Sequence, residues 1–224
     1  MCGRYVSPEQ ASIERAWQIR RSSGMDFVRR FNVQPTTAVP ILLLEDGALV
    51  LGAARWGLVP QWWKQDKPPT HTINARLEEA AGKPMWRDPM RRARCLLPAE
   101  GWYEWQPLAG GGQPHYLTRR DRRPFCFAGL MAVWQDRLSC ALLTRAAEGA
   151  AAEVHDRMPV VFADEAHAGW LDPGLKDATD FARAHAQSRD IVHYPVSRRV
   201  NDARNEGPDL IEALASPPSA GAPP

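Results

Sequence analysis

Short apolar runs bounded by turn residues dominate the hydrophobic pattern of this chain, and segments of helical period are fewer. AVPILLLE and ALVLGAARW stand on either side of an acidic-glycine turn and predict a hairpin. RCLLPAEGWYEW predicts a strand that carries polar residues toward its end. PHYLTRR, FCFAGLMAVW and LSCALLTRA follow at close spacing, separated by RDRRP and QDR, and predict antiparallel strands. MPVVF and IVHYPVS read as further short strands. Helical spacing runs from Pro8 to about Arg20, with Ser7 as the N-cap and Ala11, Ile13, Ala16 and Trp17 as the apolar positions. NARLEEA opens as a helix with Asn74 at its start, and DEAHAGWL, DATDFARAHAQ and DLIEALA read as helices. Strands outnumber helices and do not alternate with them. The prediction is a single α+β domain over 2–214 with a mainly antiparallel, curved or barrel-like β core flanked by several helices. The Pro- and Ala-rich residues 215–224 predict a disordered tail.

Composition narrows the picture. At 224 residues, with 44% hydrophobic and 24% charged positions, the chain has the balance of one ordinary globular domain. A net charge of +2 is too small for a generic nucleic-acid binder, so any basic surface must be local. Arg87, Arg91, Arg92 and Arg94 form one such cluster, readable as a DNA-facing patch or as a solvated helix face. Among the cysteines, Cys95, Cys126 and Cys140 lie in apolar runs and read as buried thiols. No CxxC pair and no His at a zinc-ligand spacing occurs, so neither a metal site nor a cofactor is predicted. This cysteine usage and the absence of a signal peptide or membrane-length run predict a cytoplasmic protein with no membrane partner. Nothing demands more than a monomer. The Trp residues concentrate beside Gly and Pro, in RWGLVPQWW and EGWYEWQP, where they fit either a core or a stacking platform for single-stranded nucleic acid. Trp62 and Trp63, adjacent in an extended segment, are expected to face opposite sides.

Several polar residues sit in otherwise apolar or turn-bounded stretches. Asn74 and Arg76 lie in TINAR, Glu100 and Glu104 in PAEGWYEW, and His155, Asp156 and Arg157 in VHDRMPVVF. Each has a plain structural explanation: an N-cap, a solvent-facing strand position, a satisfied surface histidine. The start MCGRY adds a different possibility. Removal of Met1 would leave Cys2 with a free thiol and a free α-amine on one residue.

Taken in order, MCGR, FNVQPTT, RWGLVPQWW, INARLEEA, PAEGWYEW, HDRMPVVF and YPVSRRVNDARNEG resemble the SOS-response-associated peptidase (SRAP) family from Cys2 to about Ile211. The resemblance implies a protein of the DNA damage response that recognises abasic sites in single-stranded DNA and bonds to them covalently through its N-terminal cysteine. It implies Cys2, Asn74, Glu104 and His155 as catalytic positions. It implies Arg4, Arg76 and Arg157 as holders of the DNA backbone, and Trp62, Trp63 and Trp105 along the strand-binding face. Thiol-peptidase-like removal of Met1 and strand cleavage at the lesion belong to the same implication, as does association with the nucleoid when DNA is bound.

The chemistry is consistent with it. An aldehyde from a ring-opened abasic sugar, a Cys2 amine and its thiol can close a five-membered thiazolidine, which an internal cysteine cannot form. An α-amine titrates near ~8 and is partly neutral at neutral pH. Arg4 or Arg157 could supply positive charge that favours the thiolate. Tyr103 and Trp105 would desolvate Glu104 and raise its pKa toward that of a general acid/base. His155 could protonate the sugar oxygen, with Asn74 in a positioning role. Two other readings stay open here: an N-terminal-nucleophile peptidase or amidohydrolase, and a module that holds single-stranded DNA without reacting.

Overall fold

A computed structural model describes residues 2–22, 24–109 and 111–214; the predicted tail at 215–224 lies outside them. In chain order the strands are β1 (Tyr5–Ser7), β2 (Arg21–Ser22), β3 (Arg30–Val33), β4 (Ala38–Glu45), β5 (Ala48–Trp56), β6 (Asn74–Arg76), β7 (Arg94–Ala99), β8 (Gly101–Gln106), β9 (Gln113–Arg119), β10 (Phe125–Trp134), β11 (Arg137–Ala146), β12 (Arg157–Pro159), β13 (Val161–Phe162) and β14 (Ile191–Pro195). The helices are α1 (Gln10–Trp17), α2 (Leu77–Ala80), α3 (Pro84–Arg92), α4 (His167–Leu171) and α5 (Ala178–His185).

The barrel is real. Strands β11, β10, β7, β4 and β5 pair antiparallel in that order, and β5 closes the ring by pairing parallel with β11 at Arg55–Ser139 and Trp56–Cys140. Closure removes the exposed edges that an open sheet would carry. A second, antiparallel sheet runs β14-β9-β8-β1-β3. The apolar runs of β7 and β10 are continuous rather than alternating because both of their faces are covered. One face lines a core of Trp56, Leu97, Trp102, Phe125, Phe127 and Leu142; the other meets the helices through Leu96, Cys126, Ala128, Trp170 and Ala182. Trp102 packs edge-to-face on Phe125 and Phe127, and truncating such a ring costs about 3–5 kcal/mol.

Several expectations change. RCLLPAEGWYEW is two strands, not one: the chain leaves the barrel after Ala99 and enters the second sheet at Gly101. A Cβ at Gly101 would meet the Tyr116 ring at 2.4 Å and the Leu117 carbonyl oxygen at 2.5 Å, so only glycine allows this crossing. PHYLTRR does not lie beside FCFAGLMAVW; β9 pairs with β8 and β14 instead. Ser7 belongs to β1 and caps nothing; α1 starts after Glu9. Asn74 begins a strand beside β11 rather than a helix, and α2 starts only at Leu77. DLIEALA contributes a 3-10 turn over Pro208–Ile211.

The arginine cluster divides. Arg94 is buried and donates to the carbonyls of Met90, Arg91, Trp170 and Asp172, joining the end of α3 to α4. Arg87, Arg91 and Arg92 are exposed on α3. Cys95, Cys126 and Cys140 are buried free thiols, as their apolar runs predicted.

Candidate active site

Cys2 is buried in the interior core, with its Sγ 3.8 Å from the Arg4 carbonyl oxygen. Asn74 reaches it from β6: Asn74 Nδ2 donates to the Cys2 carbonyl oxygen at 2.8 Å. Parallel pairing of Asn74 with Leu142 of β11 fixes that reach. Asn74 Oδ1 is buried and has no hydrogen-bond partner among the described residues.

Glu104 faces the same interior. Strand alternation puts Trp102 and Glu104 on one face of β8 and Tyr103 on the other, and Glu104 is only 2% exposed. Burial pushes its carboxyl up to about 7. Burial likewise pushes the Cys2 thiol well above its ordinary value, and the nearby Glu104 carboxylate adds to the rise. His155 follows a 3-10 segment (Gly149–Glu153), its backbone N–H held by Ala151 O at 3.1 Å. Its Nδ1 lies 2.9 Å from the Arg157 N–H and 2.8 Å from Asp156 Oδ1. A neutral ring accepts from the first; a protonated ring donates to the second. Burial lowers the His155 pKa, which favours the neutral ring. Asp156 in turn acts on Glu104 through its charge.

Cys2, an amide that holds its carbonyl and a buried carboxyl pushed up to about 7 thus lie together, with His155 linked to them through the charge of Asp156. The sequence profile of the SOS response associated peptidase (SRAP) family matches residues 1–203. The chain belongs to this family. It is 33% identical to the abasic site processing protein YedK of Escherichia coli, over 96% of this chain and all of that one. It is 33% identical to the abasic site processing protein YoqW of Bacillus subtilis, over 82% of this chain and 85% of the relative. To the abasic site processing protein HMCES of Gallus gallus it is 27% identical, over 94% and 77%. Among solved structures, a protein of Bacteroides thetaiotaomicron superposes with a TM-score of 0.78 at 20% identity, covering 96% of this chain and 100% of its own. A phage-related protein of Bordetella bronchiseptica superposes at 0.68 with 30% identity, covering 88% and 95%.

In this SRAP chain the remaining predicted residues separate. Arg4 is half-buried and donates to Asn32 Oδ1 at 2.9 Å and Val200 O at 3.0 Å. Arg157 forms a two-pronged ion pair with Glu78, at 2.8 and 2.9 Å, and also donates to Thr144 O. Both guanidinium groups are therefore committed to other partners, and the Cys2 thiol is raised rather than lowered. Arg76 is exposed and makes a loose 3.6 Å contact with Glu79. Trp105 donates to Asn201 Oδ1 at 2.7 Å, which ties the site strand to the late VSRRVN segment.

Trp62 and Trp63 do not splay to opposite sides of an extended strand. The chain turns there, with Trp63 N–H on Pro60 O, and the two rings lie 6.1 Å apart. Trp63 is tethered through Lys67 O and through Trp134 Nε1, whereas Trp62 is exposed beside a cleft of about 570 Å³ lined by Pro60, Met85, Pro89 and Val133. A second cleft of about 500 Å³ leads to Asn74, between Thr36, Arg55 and Gly57 on one side and Pro68–Ile73 on the other.

Sequence reasoning missed Asn32, fully buried, which receives Arg4 and donates to the carbonyls of Val200, Asp202 and Asn205. It also missed Glu78, the partner of Arg157. FNVQPTT and NARLEEA contained both, but nothing in either segment points to a partner so distant in sequence. Among the described residues, no group of three His, Cys, Asp or Glu side chains is placed to hold a metal ion, and no helix is long and apolar enough to cross a membrane.

Proposed function

We propose that this protein captures abasic sites in single-stranded DNA by forming a thiazolidine between the sugar aldehyde and Cys2 after removal of Met1. The observation that carries the reading is the convergence on Cys2 of Asn74, which holds its carbonyl, and Glu104, whose carboxyl titrates at about 7. That relatives sharing a third of the sequence are named abasic site processing proteins supports it.

The amine nitrogen of Cys2 adds to the aldehyde carbon, giving a carbinolamine. Glu104 protonates the departing hydroxyl, which leaves as water, and an imine forms. The thiol adds to the imine carbon, its proton passes to the nitrogen, and the ring closes. A carboxyl near 7 is half protonated at neutral pH and can serve as donor in one step and acceptor in the next. The unpartnered Asn74 Oδ1 can accept from the Cys2 amine and aim it. His155 in its protonated form, its Nδ1–H held by Asp156, gives a proton to the ring oxygen as the sugar opens and returns to the neutral ring that burial favours. Holding these groups together draws on proximity, worth ~7–11 kcal/mol in favourable cases. The imine also acidifies the sugar C2′–H; loss of that proton to the Glu104 carboxylate expels the 3′ phosphate by β-elimination, the lyase part of the reading. Arg76 and Trp62, both exposed, are the contacts to the strand.

The raised Cys2 thiol speaks against a thiolate peptidase, which requires the opposite shift. The test is a denaturing gel. Processed protein should give a slow-migrating band with a single-stranded oligonucleotide carrying one abasic site, and none with an intact oligonucleotide or with Cys2→Ala. A band with Cys2→Ala would overturn the assignment.

A further inference from the structure

Glu104 is almost fully buried, yet the chemistry proposed for it requires protons to enter and leave. The face of the second sheet that carries Glu104 also carries two histidines. His115 of β9 is the cross-strand partner of Glu104, directly opposite on the same face. Such pairs have Cβ atoms about 4.5–5.5 Å apart, a gap that side chains close directly or through one water. His115 is itself buried. Its Nδ1 lies 3.0 Å from Nδ1 of His193 on β14, the next strand. His193 Nε2 lies 3.2 Å from Glu153 Oε2. Glu153 ends the 3-10 segment over β14, and its side chain is 70% exposed. From His115 the series crosses the sheet face to His193 and leaves the sheet at Glu153, which reaches bulk water.

We infer that His115, His193 and Glu153 form a proton conduit between Glu104 and solvent. The inference rests on the proposed role of Glu104 in proton transfer, and the histidines act through Glu104 rather than on the sugar. Outward transfer balances ring by ring. His115 gains the Glu104 proton on one nitrogen and releases the proton on Nδ1 to His193 Nδ1. His193 releases the proton on Nε2 to Glu153, and Glu153 gives it to water. An Nδ1–Nδ1 contact permits one shared proton only, so one ring must donate while the other accepts. Burial, and then the neighbouring His193, lower the His115 pKa, which suits a ring that passes a proton rather than stores one. The chain's α-amine and Asp156 also act on Glu104 through their charge; the groups facing His193 are His115 and Glu153.

The experiment has two arms. The first uses no DNA: carbon-13 carboxyl resonances of Glu104 are followed through its titration in the full chain and in His115→Phe, His193→Gln and Glu153→Gln. The conduit predicts rapid proton exchange in the unsubstituted protein and broadened, slow exchange in His115→Phe. The second arm measures adduct formation in dilute buffer, where His115→Phe and His193→Gln should be slowed by roughly tenfold and restored by added imidazole, with oligonucleotide affinity unchanged. Glu153→Gln changes an exposed position and keeps the test valid if a histidine variant does not fold. Unchanged line shapes and unchanged, buffer-independent rates would overturn the conduit. Absence of any adduct from the unsubstituted protein would strike the function proposed above, while the titration arm would still decide the conduit.

Discussion

Asn74 Nδ2 donates to the carbonyl oxygen of Cys2 at 2.8 Å, across 72 residues of chain. The residue that would attack the sugar is thus held by an amide whose own position is set by a strand pairing, and whose second polar atom stays buried and available.

Asn74→Ala removes the anchor and leaves the Cys2 backbone unlatched. A misplacement of about 1 Å near reacting atoms can cost 10²-fold in rate. The adduct rate should fall by about that factor while oligonucleotide affinity holds. Equal losses in both would mean that Asn74 binds the strand instead of aiming Cys2. Stopped reactions on denaturing gels, beside anisotropy titrations, separate the two.

The folded-state value of Glu104, about 7, lies above the ordinary 4.5, so folding favours the protonated carboxyl. The stability this contributes is whole below 4.5 and is lost as pH rises through about 7. Glu104→Gln cannot ionise and escapes that loss. At about pH 8 it should be more stable than the unsubstituted chain by roughly 3 kcal/mol, a gap that closes near pH 4.5. Denaturant melts at the two pH values check it; a gap that widens toward acid contradicts the burial assigned to this carboxyl. The same substitution should slow adduct formation at every pH.

Arg157 and Arg76 should behave differently although both were expected to hold DNA. Arg157→Ala strands the Glu78 carboxylate, which that guanidinium keeps below the usual carboxylate range, and leaves Thr144 O without its donor. It should destabilise the fold by about 1–3 kcal/mol. Arg76→Ala should leave the melting temperature in place and reduce the salt dependence of DNA binding by about one ion. Thermal melts and affinity measured across salt concentrations check both.

Trp62→Ala should weaken binding of a single strand by about 1–3 kcal/mol with no loss of stability, since the ring is 52% exposed. Trp63→Ala should lower stability first, because the Trp63 ring packs on Trp62 and its Nε1 donates to Lys67 O. The paired melts and titrations distinguish a stacking surface from a structural ring.

What was legible in the sequence was local. The β4–β5 hairpin matches AVPILLLE and ALVLGAARW residue for residue, since alternation and an acidic-glycine turn determine it within one window. The mainly antiparallel, barrel-like core followed from the surplus of short strands. The non-local choices were not legible. PHYLTRR lies close in sequence to FCFAGLMAVW but pairs with GWYEWQ and IVHYP, because the chain changes sheets at Gly101 and no residue pattern announces a partner. Asn74 looked like a helix start because NARLEEA carries helical spacing only from Leu77 onward; pairing with β11 overrides it. The residues expected at the site were found from motif order, and Cys2 with Asn74 does meet. The electrostatics ran otherwise than expected, as Arg4 and Arg157 find partners in Asn32, Val200 and Glu78 that lie far away in sequence.

The most direct test of the central claim is a mass spectrum of the N-terminal peptide taken from the protein–DNA adduct, with borohydride added to one half of the sample. The account predicts that Met1 is absent, that Cys2 carries the sugar remnant, that its thiol resists alkylation, and that borohydride adds no mass, because the ring leaves no imine to reduce. A sugar attached to a lysine, a Cys2 thiol that still alkylates, or an adduct formed with Met1 retained would contradict it.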